Sequence, residues 1–208
     1  STDTFTVVLD AQPTSDVVIT VTPNDTSEIS TSGTLTFTPI NWDTPQTVTV
    51  TGVDEDIVDG TITSAITLAV VDATSNDNFD AVADQTVSVD TTDDDVAGFT
   101  VDQLDGSTEV TEAGSTDTFT VVLDAQPTSD VVITVTPNDT SEISTSGTLT
   151  FTPINWDTPQ TVTVTGVDED IVDGTITSAI TLAVVDATSN DNFDAVADQT
   201  VSVDTTDD

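Results

Sequence analysis

The sequence predicts an all-β protein made of two tandem sandwiches, and three observations carry that reading. Residues 1–94 recur letter for letter at 115–208, so one unit is used twice. Val, Ile, Leu and Phe alternate with threonine in short runs, the period-2 pattern of half-buried strands. Gly, Pro, Asn and Asp separate those runs, and no segment carries a 3.6-residue apolar period. Threonine suits the outward positions, because its β-branch favours a pleated backbone and its hydroxyl keeps the exposed face polar.

The second copy reads as seven strands, A to G. Strand A carries Phe99 and Val101, alternating with Thr100 and Asp102, and reaches Val110 before a Glu112-Ala113-Gly114 turn. Strand B points Phe119, Val121 and Leu123 one way and Thr118, Thr120 and Val122 the other. Gln126-Pro127-Thr128 turns the chain into strand C, Val132-Ile133-Thr134-Val135, which Pro137-Asn138-Asp139 ends. Leu149 and Phe151 mark strand D, and Val162 and Val164 mark strand E. Ile180, Leu182 and Val184 mark strand F, and Val201 and Val203 mark strand G. Seven short strands with turn residues between them predict an immunoglobulin-like Greek-key sandwich. The expected domains are 1–95 and 96–208. The first copy begins at strand B, so the first sandwich is expected to lack strand A and to show an open strand edge.

Charge narrows the partners. The chain has no Lys, Arg or His and 39 carboxylates, a formal net charge of -39, so no side-chain salt bridge can form. Such a chain repels nucleic acid and anionic lipid headgroups, and neither is expected as a partner. The same charge holds identical neighbouring domains apart while they fold. Without Cys there are neither disulfides nor thiolate metal ligands. No apolar run approaches the roughly 18 residues of a membrane span, and no signal peptide is visible. His, Cys, Lys, Arg and Tyr are all missing, so the usual nucleophiles and general bases are missing too. Neither catalysis nor a small-molecule substrate is expected. What remains are cations and neighbouring copies of the same repeat.

The acids are mostly Asp, 33 against 6 Glu, which a general acidic coat has no reason to prefer. Short-leashed Asp in loops is what hard, oxygen-seeking cations favour. In an immunoglobulin-like sandwich the A–B, C–D and E–F loops share one end with the finish of strand G. That end collects Glu112, Glu142, Asp168, Glu169, Asp173, Asp207 and Asp208 in the second copy. Two carboxylates about 5 Å apart repel by roughly 3 kcal/mol at an effective dielectric near 20. Four together reach on the order of 15–20 kcal/mol, more than the roughly 5–15 kcal/mol stability of a domain. The expected cofactor is therefore Ca²⁺, in several ions, although the spacing is not that of an EF-hand. Trp42 and Trp156 are expected to cap the core near the D–E corner rather than to form a sugar platform.

Three features together resemble the Calx-β domain: Glu112 in Val110-Thr111-Glu112-Ala113-Gly114, the acidic E–F loop Asp168-Glu169-Asp170-Ile171-Val172-Asp173, and the terminal run Asp93-Asp94-Asp95. The phrase from Phe151 to Val164 is similar to bacterial members of that group. The resemblance implies calcium ligands at the seven residues above and, in the first copy, at Glu28, Asp54, Glu55, Asp59, Asp93, Asp94 and Asp95. Gly174 and Thr175 stand where the family has later acids, and the first copy has no A–B Glu. The resemblance also implies a calcium-rigidified extender of a large RTX-type bacterial adhesin, outside the cell. Two alternatives stay open: a calcium-dependent module binding sugar or protein through its loops, and a calcium-sensing pair.

The joint is a further candidate. Strand G of the first copy ends at Asp93-Asp94-Asp95, and only Val96-Ala97-Gly98 precedes the next strand A. That spacing is expected to set Asp94 and Asp95 near Asp191 and Asp194 of the F–G loop, where calcium would stiffen the connection.

Overall fold

A computed structural model describes residues 1–104 and 106–207. The chain divides into two compact units, Ser1–Glu55 with Gly60–Asp93, and Asp56–Asp59 with Asp94–Asp208. Both are all-β. Among the described residues no helix is long and apolar enough to cross a membrane.

Unit 1 contains β1 (Thr2–Val7), β2 (Val17–Pro23), β3 (Ile29–Thr31), β4 (Leu35–Phe37), β5 (Gln46–Gly52), β6 (Thr61–Val70) and β7 (Gln85–Thr92). One of its sheets runs β1-β5-β3 and the other β4-β2-β6-β7. Unit 2 contains β8 (Phe99–Asp102), β9 (Thr108–Thr111), β10 (Thr116–Leu123), β11 (Val131–Pro137) and β12 (Ile143–Thr145). It continues with β13 (Leu149–Phe151), β14 (Gln160–Gly166), β15 (Ile176–Val184) and β16 (Gln199–Thr206). Its sheets run β12-β14-β10-β8 and β13-β11-β15-β16-β9. Sequential strands are rarely neighbours, and β10 reaches past three strands to pair with β14, the crossover of an immunoglobulin-like sandwich.

The apolar alternation does what its period requires. Val131, Ile133 and Val135 face inward from β11, Val162 and Val164 from β14, and Val201 and Val203 from β16. Phe119, Phe151 and Phe193 complete this core with no exposure. Burying each such side chain contributes about 1.5–3 kcal/mol, which is how a threonine-rich chain folds without an ion pair. Trp156 packs against the edge of this core and Trp42 against that of unit 1, as expected of caps. Each also accepts a backbone N–H at its carbonyl, from Leu123 and Leu9 respectively, at 3.2 Å.

The seven expected strands are present in unit 2, with two refinements. Strand A is broken into β8 and β9, which lie in different sheets. Gly106, at φ +85°, donates its N–H to the Gln103 carbonyl at 2.8 Å and redirects the chain between them. β8 then pairs antiparallel with β10, and β9 pairs parallel with β16. The second refinement is β12, where Ile143 is the only large apolar residue in a Ser/Thr run too weakly alternating to declare a strand.

Candidate metal centre

The broken strand A delivers Glu112. The residue follows β9, and its N–H bonds the Thr206 carbonyl of β16 at 3.1 Å, so the last turn of β9 is stitched beside the end of β16. Gly166 lets this happen: a Cβ there would overlap the Thr111 carbonyl, whereas at Gly52, its counterpart in unit 1, the nearest atom lies 3.5 Å away. Glu142 precedes β12 and is tied down when its carbonyl accepts the Val167 N–H at 2.8 Å. The β14–β15 loop supplies Glu169 and Asp173, and Asp207 follows β16.

Four of these acids converge. One carboxylate oxygen each from Glu112, Glu169, Asp173 and Asp207 lie within 4.8 Å of one another. Oxygens around one calcium ion, each at about 2.4 Å, span at most about 4.8 Å, while a magnesium shell at about 2.1 Å spans about 4.2 Å. The set lies within the span of a calcium shell. Two of the carboxylates are held by backbone at one oxygen only. Glu169 Oε2 accepts the Ile171 N–H at 3.0 Å, and Asp207 Oδ2 accepts the Gly174 N–H at 2.7 Å. Their other oxygens, Glu169 Oε1 and Asp207 Oδ1, are buried without a hydrogen-bond partner. Glu112 Oε1 and Glu142 Oε2 are buried and unpartnered as well, on residues 2% and 5% exposed.

Four orphaned carboxylate oxygens in one place need a positive partner, because a buried acceptor left alone is costly. Withdrawal from water, followed by the charges of Asp207, Glu169, Glu142 and Asp173, pushes the Glu112 carboxyl up from 4.5 to about 7. Burial likewise raises Glu142, reinforced by Asp173, Asp139, Glu169 and Asp207. The chain has no cationic side chain to offer, so either a proton or a metal ion must relieve the site. Folded Glu112 keeps a proton between about pH 4.5 and 7 that the unfolded chain has lost, so metal-free stability falls as pH rises through that window. In chelator, the melting temperature of unit 2 should drop from about pH 5 to about pH 8. A flat or rising profile would show that the carboxyls are not crowded.

The remaining candidates sit elsewhere. Asp168 is exposed and outside the four-carboxylate set, and Asp208 lies outside the described residues. Glu28, Asp54, Glu55 and Asp93 fall in unit 1, while Asp59, Asp94 and Asp95 fall in unit 2; Asp93 Oδ2 accepts the Gly60 N–H at 2.9 Å, the contact that Asp207 makes with Gly174 in the second copy. Among the described residues the four-carboxylate set is the one group of this kind. Asp191 and Asp194 lie in the β15–β16 connection, at the end of that strand pair opposite Asp207. Their motif has clear structural work. Asn190 is buried and donates through Nδ2 to Thr128 Oγ1 at 2.5 Å, and Phe193 enters the core.

All four converging acids were legible in the sequence. The backbone donors that aim them, Ile171 and Gly174, were not, since an N–H leaves no residue-type signal.

Several solved structures are similar. The apo-form Calx CBD1 domain matches over 55% of this chain and 99% of its own, at 16% identity and a TM-score of 0.39. The calcium binding domain CBD12 of CALX1.1 matches over 88% of this chain and 73% of its own, at 16% identity and a TM-score of 0.34. Surface layer protein SbsC, domains 1–6, matches over 91% of this chain but only 20% of its own, at 16% identity and a TM-score of 0.42. No protein-family model matches the chain, and no curated protein does.

Proposed function

We propose that this chain is a pair of calcium-rigidified spacer repeats from an extracellular protein of a bacterial surface, an extender that holds an adhesive part away from the cell. The observation that carries the calcium half is the convergence of Glu112, Glu169, Asp173 and Asp207, with buried oxygens that no hydrogen bond satisfies. Repetition carries the spacer half. A sensor needs one or two copies and a ligand-binding head is normally unique, whereas letter-for-letter reuse suits a part whose value is length. The wholly acidic surface keeps neighbouring repeats from collapsing on one another, and added cations then set how stiff the array becomes.

The connection Val96-Ala97-Gly98, flanked by Asp93-Asp94-Asp95, is where stiffness is set. Without cations the acids repel and the joint flexes; calcium drawn to the Asp93-Asp94-Asp95 run stiffens it. Small-angle scattering on the two-repeat chain tests this. The expected result is a narrow distribution of long interdomain distances in calcium that broadens in chelator. Folded domains with an equally broad distribution in calcium would end the spacer reading.

A further inference from the structure

The metal centre dictates a glycine at position 174. Gly174 stands at φ +81°, a backbone region that glycine enters freely, and no atom lies within 4 Å of where a Cβ would be. From that turn its N–H donates to Asp207 Oδ2 at 2.7 Å, which fixes one oxygen of Asp207 and leaves the other for the four-carboxylate set. Asp173, the residue before it, supplies another carboxylate of the set. The first copy builds the same turn in mid-chain, with Gly60 at φ +78° donating to Asp93 Oδ2 at 2.9 Å. The arrangement is therefore a property of the repeat.

The same turn makes Asp173 perishable. An aspartate followed by glycine sets its Cγ beside a peptide nitrogen that no side chain shields, and a bond between the two closes a five-membered ring. Asp173 and Gly174 are both exposed. Gly106, in the Asp105-Gly106 step, donates its N–H to the Gln103 carbonyl instead of a carboxylate, and Asp105 itself lies outside the described residues.

We propose that Asp173-Gly174 is a self-modification site, converted to isoaspartate while the metal centre is free of calcium and protected once calcium is bound; the protection rests on the function proposed above. The Gly174 nitrogen attacks Cγ of the protonated Asp173 carboxyl. Its amide proton passes to Asp207 Oδ2, which already accepts that N–H, and from there to the departing hydroxyl. One water leaves and the ring closes. Water then adds to the ring's main-chain carbonyl and breaks its bond to nitrogen, so one water has left, one has entered, and neither oxidant nor reductant is needed. Opening at the other carbonyl regenerates Asp173. In the isomer the main chain runs through Cβ and Cγ, and the carboxylate hangs directly on Cα. The ligand is thereby withdrawn from the set and does not return when calcium does. An ion held by Asp173 and Asp207 keeps Cγ turned away from the nitrogen, so the reaction runs from the ion-free population alone.

The test uses the full chain carrying Thr61→Ser, an exposed change that gives the otherwise identical peptides of the two copies different masses. The protein is held near neutral pH in calcium or in chelator for several weeks, then digested and mapped by mass spectrometry with fragmentation that tells isoaspartate from aspartate. Isoaspartate should accumulate at 173 in chelator, and about 100-fold more slowly when free calcium stands 100-fold above its dissociation constant. At Asp105 the two conditions should give equal rates. The aged chelator sample, returned to calcium, should have lost its melting shift in proportion to the isomer at 173. Asp173→Glu, whose ring would need six members and closes far more slowly, should keep whatever shift it began with. Three results would each overturn the proposal: no isomer at 173 in chelator, equal rates at 173 in a protein whose fresh melting curve responds to calcium, or equal protection of Asp105. A fresh chain whose melting ignores calcium would instead defeat the proposed function, and the chelator arm would still read the modification.

Discussion

Calcium should raise the melting temperature of unit 2 by about 10 °C when free calcium stands 100-fold above its dissociation constant. That excess stabilises the folded state by about 2.7 kcal/mol, and a domain of this size moves about 4 °C for each kcal/mol. The effect has one physical source. Unfolding scatters Glu112, Glu169, Asp173 and Asp207 into different parts of a flexible chain, so the ion binds the folded state alone. Magnesium at the same concentration should shift the transition less, because it demands a tighter shell and sheds water reluctantly. Calorimetric scans in calcium, magnesium and chelator make the comparison. Superimposable curves in calcium and chelator would remove the metal from the account.

Glu112→Gln should move stability in opposite directions under the two conditions. In chelator the variant should be more stable than the parent above about pH 7, because the crowded carboxyl it removes is the one held up to about 7. In calcium it should lose most of the shift of about 10 °C, because an amide oxygen is a weaker ligand than a carboxylate and carries no charge. The two denaturation profiles therefore exchange order between chelator and calcium. A loss of similar size in both conditions would give the Glu112 carboxyl a role in the fold itself, independent of any ion.

The sequence exposed some of these features and hid others. Alternation in Val131-Val132-Ile133-Thr134-Val135 declared a strand because one face is buried and the other wet, and the structure orients those side chains accordingly. Glu112, Glu169, Asp173 and Asp207 could be brought to one end from strand order alone, since each sits at a strand terminus and the order of termini is set by topology. Strand A looked continuous because Phe99 and Val110 are both apolar. The transfer between sheets happens in the Gly106 turn, whose φ +85° no neighbouring alternation announces. The open edge of unit 1 could be read as a missing strand. The Asn190-Asp191-Asn192-Phe193-Asp194 run read as an acidic loop, yet Asn190 and Phe193 are buried and hold that loop to the core.

A crystal structure of the chain grown in calcium decides whether these four acids hold the ion. The expected result is an ion about 2.3–2.6 Å from oxygens of Glu112, Glu169, Asp173 and Asp207, with the unpartnered Oε1 of Glu112 among its ligands. Density for calcium elsewhere, with these four carboxylates turned apart toward solvent, would contradict it.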